Sequence, residues 1–274
     1  MPRVVDVHIH LSEREDDGLV RYARMNGLGY DMGELLSAMR THGIERGLLL
    51  SPPMLDGGLL PNEEVLRLCR KSGGLLSPVL TVDPTAKEVK HGLKLAEENR
   101  GEVKGFKIRL GYVDSSADNG VFSALYDYAE EKGLPVMFHT GDTATTTGRL
   151  TYSHPLALDA VANEREELVI VLCHFGNPWF EDAAELIYKH PNVYADTSGL
   201  SAGGGAYAKE YMSWLAGKIS AAIYFAGGAE KILFGTDYPV TTHSNALALV
   251  RSLAVTAEDK ERILGGNAKR VFGL

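Results

Sequence analysis

The sequence predicts an α/β fold, a single (β/α)8 TIM barrel with its active site at the C-terminal ends of the strands. Three observations predict it. Short β-rich runs, eight of them, alternate with longer segments of helical pattern. The runs are continuously apolar, as parallel strands covered on both faces are. The chain has 274 residues, and such a barrel needs about 250. A doubly wound open sheet is the alternative, but no G-x-G-x-x-G follows the first run. No linker, low-complexity tract or long charge block divides the chain, so residues 1–274 read as one domain.

The strand candidates are VVDVHIH (4–10), RGLLLS (46–51), LLSPVLTV (75–82), VKGFKIRL (103–110), PVMFHT (135–140), LVIVLCHF (168–175), NVYADTS (192–198) and KILFGTD (231–237). Each is rich in Val, Ile, Leu or Phe, and most are bounded by Gly, Pro or Asp. DMGELLSAMRTHG (31–43) carries Leu35, Leu36 and Met39 at helical spacing and closes on Gly43. NEEVLRLCRKSGG (62–74) starts on an Asn, has acids in its first turn and ends on glycine. Further helices are expected over 84–101, 118–133, 154–166, 179–191, 206–228, 244–255 and 257–273.

Net charge is -8, which disfavours nucleic acid and anionic membrane surfaces as partners. Two cysteines, Cys69 and Cys173, are too few for a disulfide framework. No apolar run is long enough to span a bilayer, and the first strand follows the N-terminus almost at once, so a cytoplasmic setting is expected. The expected partner is a small-molecule substrate, with room left for a homo-oligomer.

Ligand-type side chains gather at the strand ends. His8 and His10 close the first strand two residues apart, hence on one face. Lys107 and Arg109 end the fourth, His139 the fifth and His174 the sixth; Asp196 nears the end of the seventh, and Asp237 ends the eighth. A lone histidine is commonly a hydrogen-bonded core residue, and Asp237 before Tyr238-Pro239 could shape a turn. Ligand types on four separate strand ends point instead to a divalent cation, since imidazole and carboxylate are the usual donors to zinc and its neighbours.

The ordered set D-V-H-I-H, P-V-M-F-H-T-G, V-L-C-H-F-G, V-Y-A-D-T-S-G, I-L-F-G-T-D-Y-P and the closing G-N-A-K-R-V-F-G resembles the amidohydrolase superfamily, in its amidohydrolase-related (family 2) branch. The resemblance spans the chain. It implies that His8, His10, His139 and Asp237 are metal ligands, that Asp237 also moves protons, and that His174 is either a second ligand set or a catalytic partner. It also implies hydrolases, lactonases among them, and non-oxidative decarboxylases.

The reading that follows is a metal-dependent hydrolase. One divalent cation, zinc first and manganese or another first-row ion next, activates water to cleave an amide, ester or lactone of a small anionic substrate. Asp237 takes the proton and His174 stabilises charge. A decarboxylase using the same site, and a barrel that keeps the cation without turnover, are the rivals. Lys107, Arg109, Arg149 and His154 are expected to bind substrate. A lysine in the position of Lys107 bridges two cations when carbamylated in two-metal relatives. The second positive charge of Arg109 favours one cation here.

Lesser expectations complete the reading. Asp6 faces inward below the histidines in a structural role. Asp196 orients a ligand histidine or satisfies backbone donors. Cys173 points into the helix layer as an inert thiol. SGLSAGGGAY (198–207) is a lid or an elastic connection.

Overall fold

In the computed structural model, which describes residues 3–202 and 208–274, eight parallel strands form one sheet in the order β1 to β8. They are β1 (Val4–His10), β2 (Ile44–Leu50), β3 (Leu76–Thr81), β4 (Gly105–Ile108), β5 (Val136–Phe138), β6 (Ile170–Leu172), β7 (Val193–Asp196) and β8 (Ile232–Leu233). Helices lie between and after them: α1 (Val20–Met25), α2 (Met32–His42), α3 (Asn62–Lys71), α4 (Ala86–Glu98), α5 (Ser123–Lys132), α6 (Leu150–Ser153), α7 (Asp159–Glu164), α8 (Phe180–Lys189), α9 (Ala208–Phe225) and, beyond β8, α10 (His243–Ser252), α11 (Ala257–Glu261) and α12 (Asn267–Phe272). This is the expected (β/α)8 barrel. Among the described residues no helix is long and apolar enough to cross a membrane.

The barrel closes between β8 and β1 without a regular ladder. Val7 N donates to Phe234 O (2.9 Å), Asp237 N to His8 O (2.8 Å) and His10 N to Tyr238 O (2.8 Å). Strand parity sorts the core into two layers. Val5, Val7, Leu48, Leu50, Val79, Met137, Val171, Cys173 and Leu233 fill the interior, with Ala268 and Phe272 of α12 packed against them. Val4, Ile9, Leu49, Leu80, Phe106, Phe138, Leu172 and Phe234 face the helices.

Sequence and structure differ mostly at ends. The strands expected over 103–110, 168–175 and 231–237 stop at Ile108, Leu172 and Leu233, because their last residues leave the ladder to build the mouth. Helices α1 and α6 are short additions inside connections. The helix expected over 257–273 is interrupted by a π-turn at Arg262–Gly266. There Gly265 lies so close to β1 that a Cβ would sit 2.1 Å from Arg3 O. Of the stretch 198–207, residues 203–207 lie outside the described residues.

Candidate metal centre

β1 changes phase within its own length. Val5 and Val7 point into the barrel, yet so do His8 and His10, while Ile9 faces the helices. A register shift against β2 between Asp6 and Ile9 makes this possible. One extra residue flips which positions face inward. His8 and His10 rise out of an apolar interior instead of replacing part of it.

Their hydrogen bonds fix which ring nitrogen faces the mouth. His10 Nδ1 lies 3.1 Å from Leu50 O, which can only accept, so Nδ1 carries the hydrogen. His8 Nδ1 lies 3.0 Å from Asp196 Oδ2 in the same sense. Both Nε2 atoms then face Asp237 Oδ1, at 3.2 Å from His10 and 3.6 Å from His8. Burial, then the charge of Lys107, pushes His8 down to about 4, so at neutral pH its Nε2 holds a lone pair. Burial alone would raise Asp237, but the His10 hydrogen bond and the neighbouring imidazoles outweigh it and bring the carboxyl to about 2. With both Nδ1 atoms engaged elsewhere, two imidazole Nε2 atoms and a carboxylate oxygen converge on one point, the arrangement that the donors of a divalent cation take. Ligands of a tetrahedral cation bound at about 2.1 Å stand roughly 3.4 Å apart, so this donor set fits one.

A second layer holds the first. Asp196 and Ser198 share the inward face of β7 and its extension by the two-residue rule. Asp196 accepts from His8 Nδ1, from His174 N (2.9 Å), from Ser198 N (3.0 Å) and, at short range, from the Ser198 hydroxyl. These donors and the neighbouring His174 keep it ionised although it is buried. Ser198 Oγ stands 2.9 Å from Nδ1 of both His8 and His174. The trio His8, His174 and Asp196 is therefore bridged by a hydroxyl. Ser198 escaped the sequence reading, although its i, i+2 relation to Asp196 is the one that links His8 to His10.

His174 reaches the mouth by a different route. Parity points Cys173 inward, and the backbone then turns left-handed at His174 (φ 61°) and Phe175 (φ 46°). Non-glycine residues pay roughly 1–2 kcal/mol for that region. Its Nδ1 lies 3.1 Å from Ser198 O, which can only accept, so Nδ1 is engaged there and Nε2 is the ring nitrogen left over. Gly199 (φ 71°) makes room behind it, since a Cβ there would stand 3.1 Å from both His174 Nδ1 and Asp237 Oδ2.

His139 is brought close but not into the same group. Its ring lies 4.9 Å from that of His174 and 4.7 Å from that of Tyr112. Its Nε2 donates to Asp142 O at 3.0 Å, leaving Nδ1 as its donor atom toward a metal. Burial, then His174 and Lys107, holds it well below the usual imidazole range, in the neutral form a ligand needs.

Of the substrate-binding expectations, two lie at the mouth. Lys107 is buried, with Nζ 2.7 Å from Cys173 Sγ. Arg109 pairs with Asp83 at 3.1 Å, and its buried Nε has no partner among the described residues. The Thr81 hydroxyl, on the register partner of Lys107, is likewise buried and unpartnered. The other two are engaged locally. Arg149 pairs with Asp114 at 3.2 Å, both more than half exposed. His154 accepts from Leu156 N and packs on Trp179, 4.0 Å from Asp182.

Two expectations are corrected. Cys173 faces the barrel interior and not the helix layer, because the left-handed turn, not strand parity, carries His174 to the mouth. Asp6 faces outward, because the phase shift of β1 falls after it; its carboxylate meets Thr236 and approaches His243 of α10.

A family model described as Amidohydrolase matches residues 5–274. No curated protein sequence matches the chain. Among solved structures, an uncharacterised TIM-barrel protein from Bordetella bronchiseptica is similar over 99% of this chain and 98% of its own, with TM-score 0.77 and 20% identity. A probable 2-pyrone-4,6-dicarboxylic acid hydrolase from Acinetobacter baumannii, with citric acid bound, is similar over 100% of both chains (TM-score 0.69, 16% identity). A dihydroxybenzoic acid decarboxylase from Polaromonas, with bound manganese, covers 100% of this chain and 98% of its own (TM-score 0.69, 16% identity).

The donor geometry predicts that replacing both His8 and His10 by alanine lowers bound metal far below one ion per chain. Elemental analysis of the purified protein checks this, and full occupancy in the double mutant would remove both residues from the ligand set.

Proposed function

Because the chain belongs to the amidohydrolase family, we propose that it is a metal-dependent hydrolase acting on a small anionic substrate. The observation that carries the reading is the approach of His8 Nε2 and His10 Nε2 to Asp237 Oδ1, with both Nδ1 hydrogens engaged elsewhere. His8, His10, His139 and Asp237 would hold one divalent ion, zinc in the first instance. When bound, the ion polarises a substrate carbonyl and makes water a stronger acid.

The chain's own residues supply the rest. Asp237, held as a carboxylate beside two imidazoles, accepts the water proton. His174 is fixed through Nδ1 to Ser198, so its Nε2 is available to charge developing on the leaving side. Lys107, Arg109 and Thr81 bring positive charge and unpaired donors to the β3–β4 side of the mouth. A carboxylate there would meet donors that no protein acceptor satisfies, and guanidinium suits carboxylate geometry. Arg149 and His154 are assigned to the rim of the same substrate site, where a bound substrate would have to draw them from their local partners.

The same residues support decarboxylation, and the similarity to a manganese-bearing decarboxylase favours keeping that second reading. Oxygen-18 water separates the two. Hydrolysis of an amide, ester or lactone panel places solvent oxygen in the product and stops with a chelator, whereas release of CO2 without label incorporation identifies the lyase.

Two variants refine the roles. Asp237→Asn keeps the shape but accepts no proton as a carboxylate does, so turnover falls by about two to four orders of magnitude while the thermal transition moves little. A near-wild-type rate in this variant removes Asp237 as the base. Lys107→Ala raises KM for an anionic substrate and keeps about one ion per chain, as an open single-cation site does. Two ions in the wild type that fall to one or none in this variant would show a bridging lysine instead.

A further inference from the structure

Asp6 is fully buried on the helix-facing side of β1, opposite the cation donors. A carboxylate there is costly unless its lone pairs are used. Oδ1 accepts from the backbone N–H of His8 (3.1 Å) and of Thr236 (3.0 Å), and Oδ2 accepts from the Thr236 hydroxyl (2.6 Å). His243 Nε2 stands 3.6 Å from Oδ2, too far for a hydrogen bond, and has no other partner among the described residues.

The two backbone donors sit on opposite sides of the barrel seam. One is the His8 amide, where β1 changes phase and the ladder to β2 shifts. The other immediately precedes Asp237, whose backbone is left-handed (φ 63°). The Thr236 oxygen that donates to Asp6 also accepts from Tyr238 N (3.0 Å), on the far side of Asp237. Asp237 N donates to His8 O at 2.8 Å between them. Asp6 and Thr236 thus bracket Asp237 from both sides and tie it to the residue that carries the first imidazole.

We infer that Asp6 is a positioning residue of the metal centre: its carboxylate reinforces the irregular seam between β8 and β1 and sets the separation between the His8–His10 pair and Asp237. The inference rests on the metal-centre reading above and concerns affinity, not the reaction catalysed. Without the carboxylate, two buried N–H groups lose their acceptor, and Asp237 loses the tie on its Thr236 side that helps hold a backbone conformation non-glycine residues disfavour.

The test compares wild type, Asp6→Ala, Asp6→Asn and Thr236→Val. Zinc affinity is measured by chelator competition, and the visible spectrum of the cobalt-loaded protein is recorded at a temperature where circular dichroism shows each variant folded. Loss of an outer contact to a metal ligand typically weakens binding about 10- to 100-fold, and that is expected for Asp6→Ala, with a changed cobalt spectrum. Asp6→Asn keeps an oxygen for both N–H groups and stays within about threefold of wild type, a rescue on the scale of one retained hydrogen bond. Thr236→Val weakens zinc binding severalfold. A folded Asp6→Ala with unchanged affinity and spectrum overturns the inference, even if its melting temperature has dropped. If Asp6→Ala does not fold, unchanged affinity in Thr236→Val overturns it. A wild-type protein that takes up neither ion overturns the metal-centre reading itself, and the inference with it.

Discussion

The site depends on how the barrel closes between β8 and β1. An unshifted ladder between β1 and β2 would keep β1 in phase, and His8 and His10 would then share the outward face with Asp6. The register shift turns them inward while Val5 and Val7 stay in the apolar interior. On the other side of β1, the irregular seam with β8 frees residues 234–238 to leave β8 and brings Asp237 up to the two imidazoles. Ligand supply and barrel closure are one piece of backbone.

Electrostatics around that seam are layered by sign. Asp196 sits behind His8 as a buried carboxylate with four donors, Asp237 in front of it. Lys107 stands on the β4 side and, after burial itself, disfavours protonation of His8 and His139, and Arg109 lies two residues further along the same strand end. Imidazoles, two carboxylates and a flanking cationic edge suit a divalent ion and an anionic substrate together. Each pays part of the other's desolvation, because neither charge is buried alone.

Gly199 and Gly235 show how little space remains. A Cβ on Gly235 would stand 3.1 Å from the Cβ of His8 and 3.0 Å from that of Ser198. One on Gly199 would crowd His174 and Asp237. The stretch after β7 is thus a backing plate for the imidazoles over its described part, Asp196 to Ala202, and Ser198 within it links His8 to His174 through a single hydroxyl.

Eight apolar runs and the residues at their ends were enough to read the barrel, its mouth and the identity of the histidines and aspartates gathered there. Periodicity and burial are local properties, and the chain order of parallel strands follows from them. What parity alone misread was orientation. Counted back from the mouth histidines, it placed Cys173 outward and Asp6 inward, because a bulge within β1 and a left-handed turn at His174 change phase without any mark in the apolar pattern. It also left Ser198 unnoticed, since a serine earns meaning only from the two imidazoles that folding brings to 2.9 Å from its oxygen. Residue type and strand position are written in the sequence. Which face a side chain takes, and which distant partner holds its proton, are decided by closure of the barrel, where strands far apart in the chain exchange hydrogen bonds.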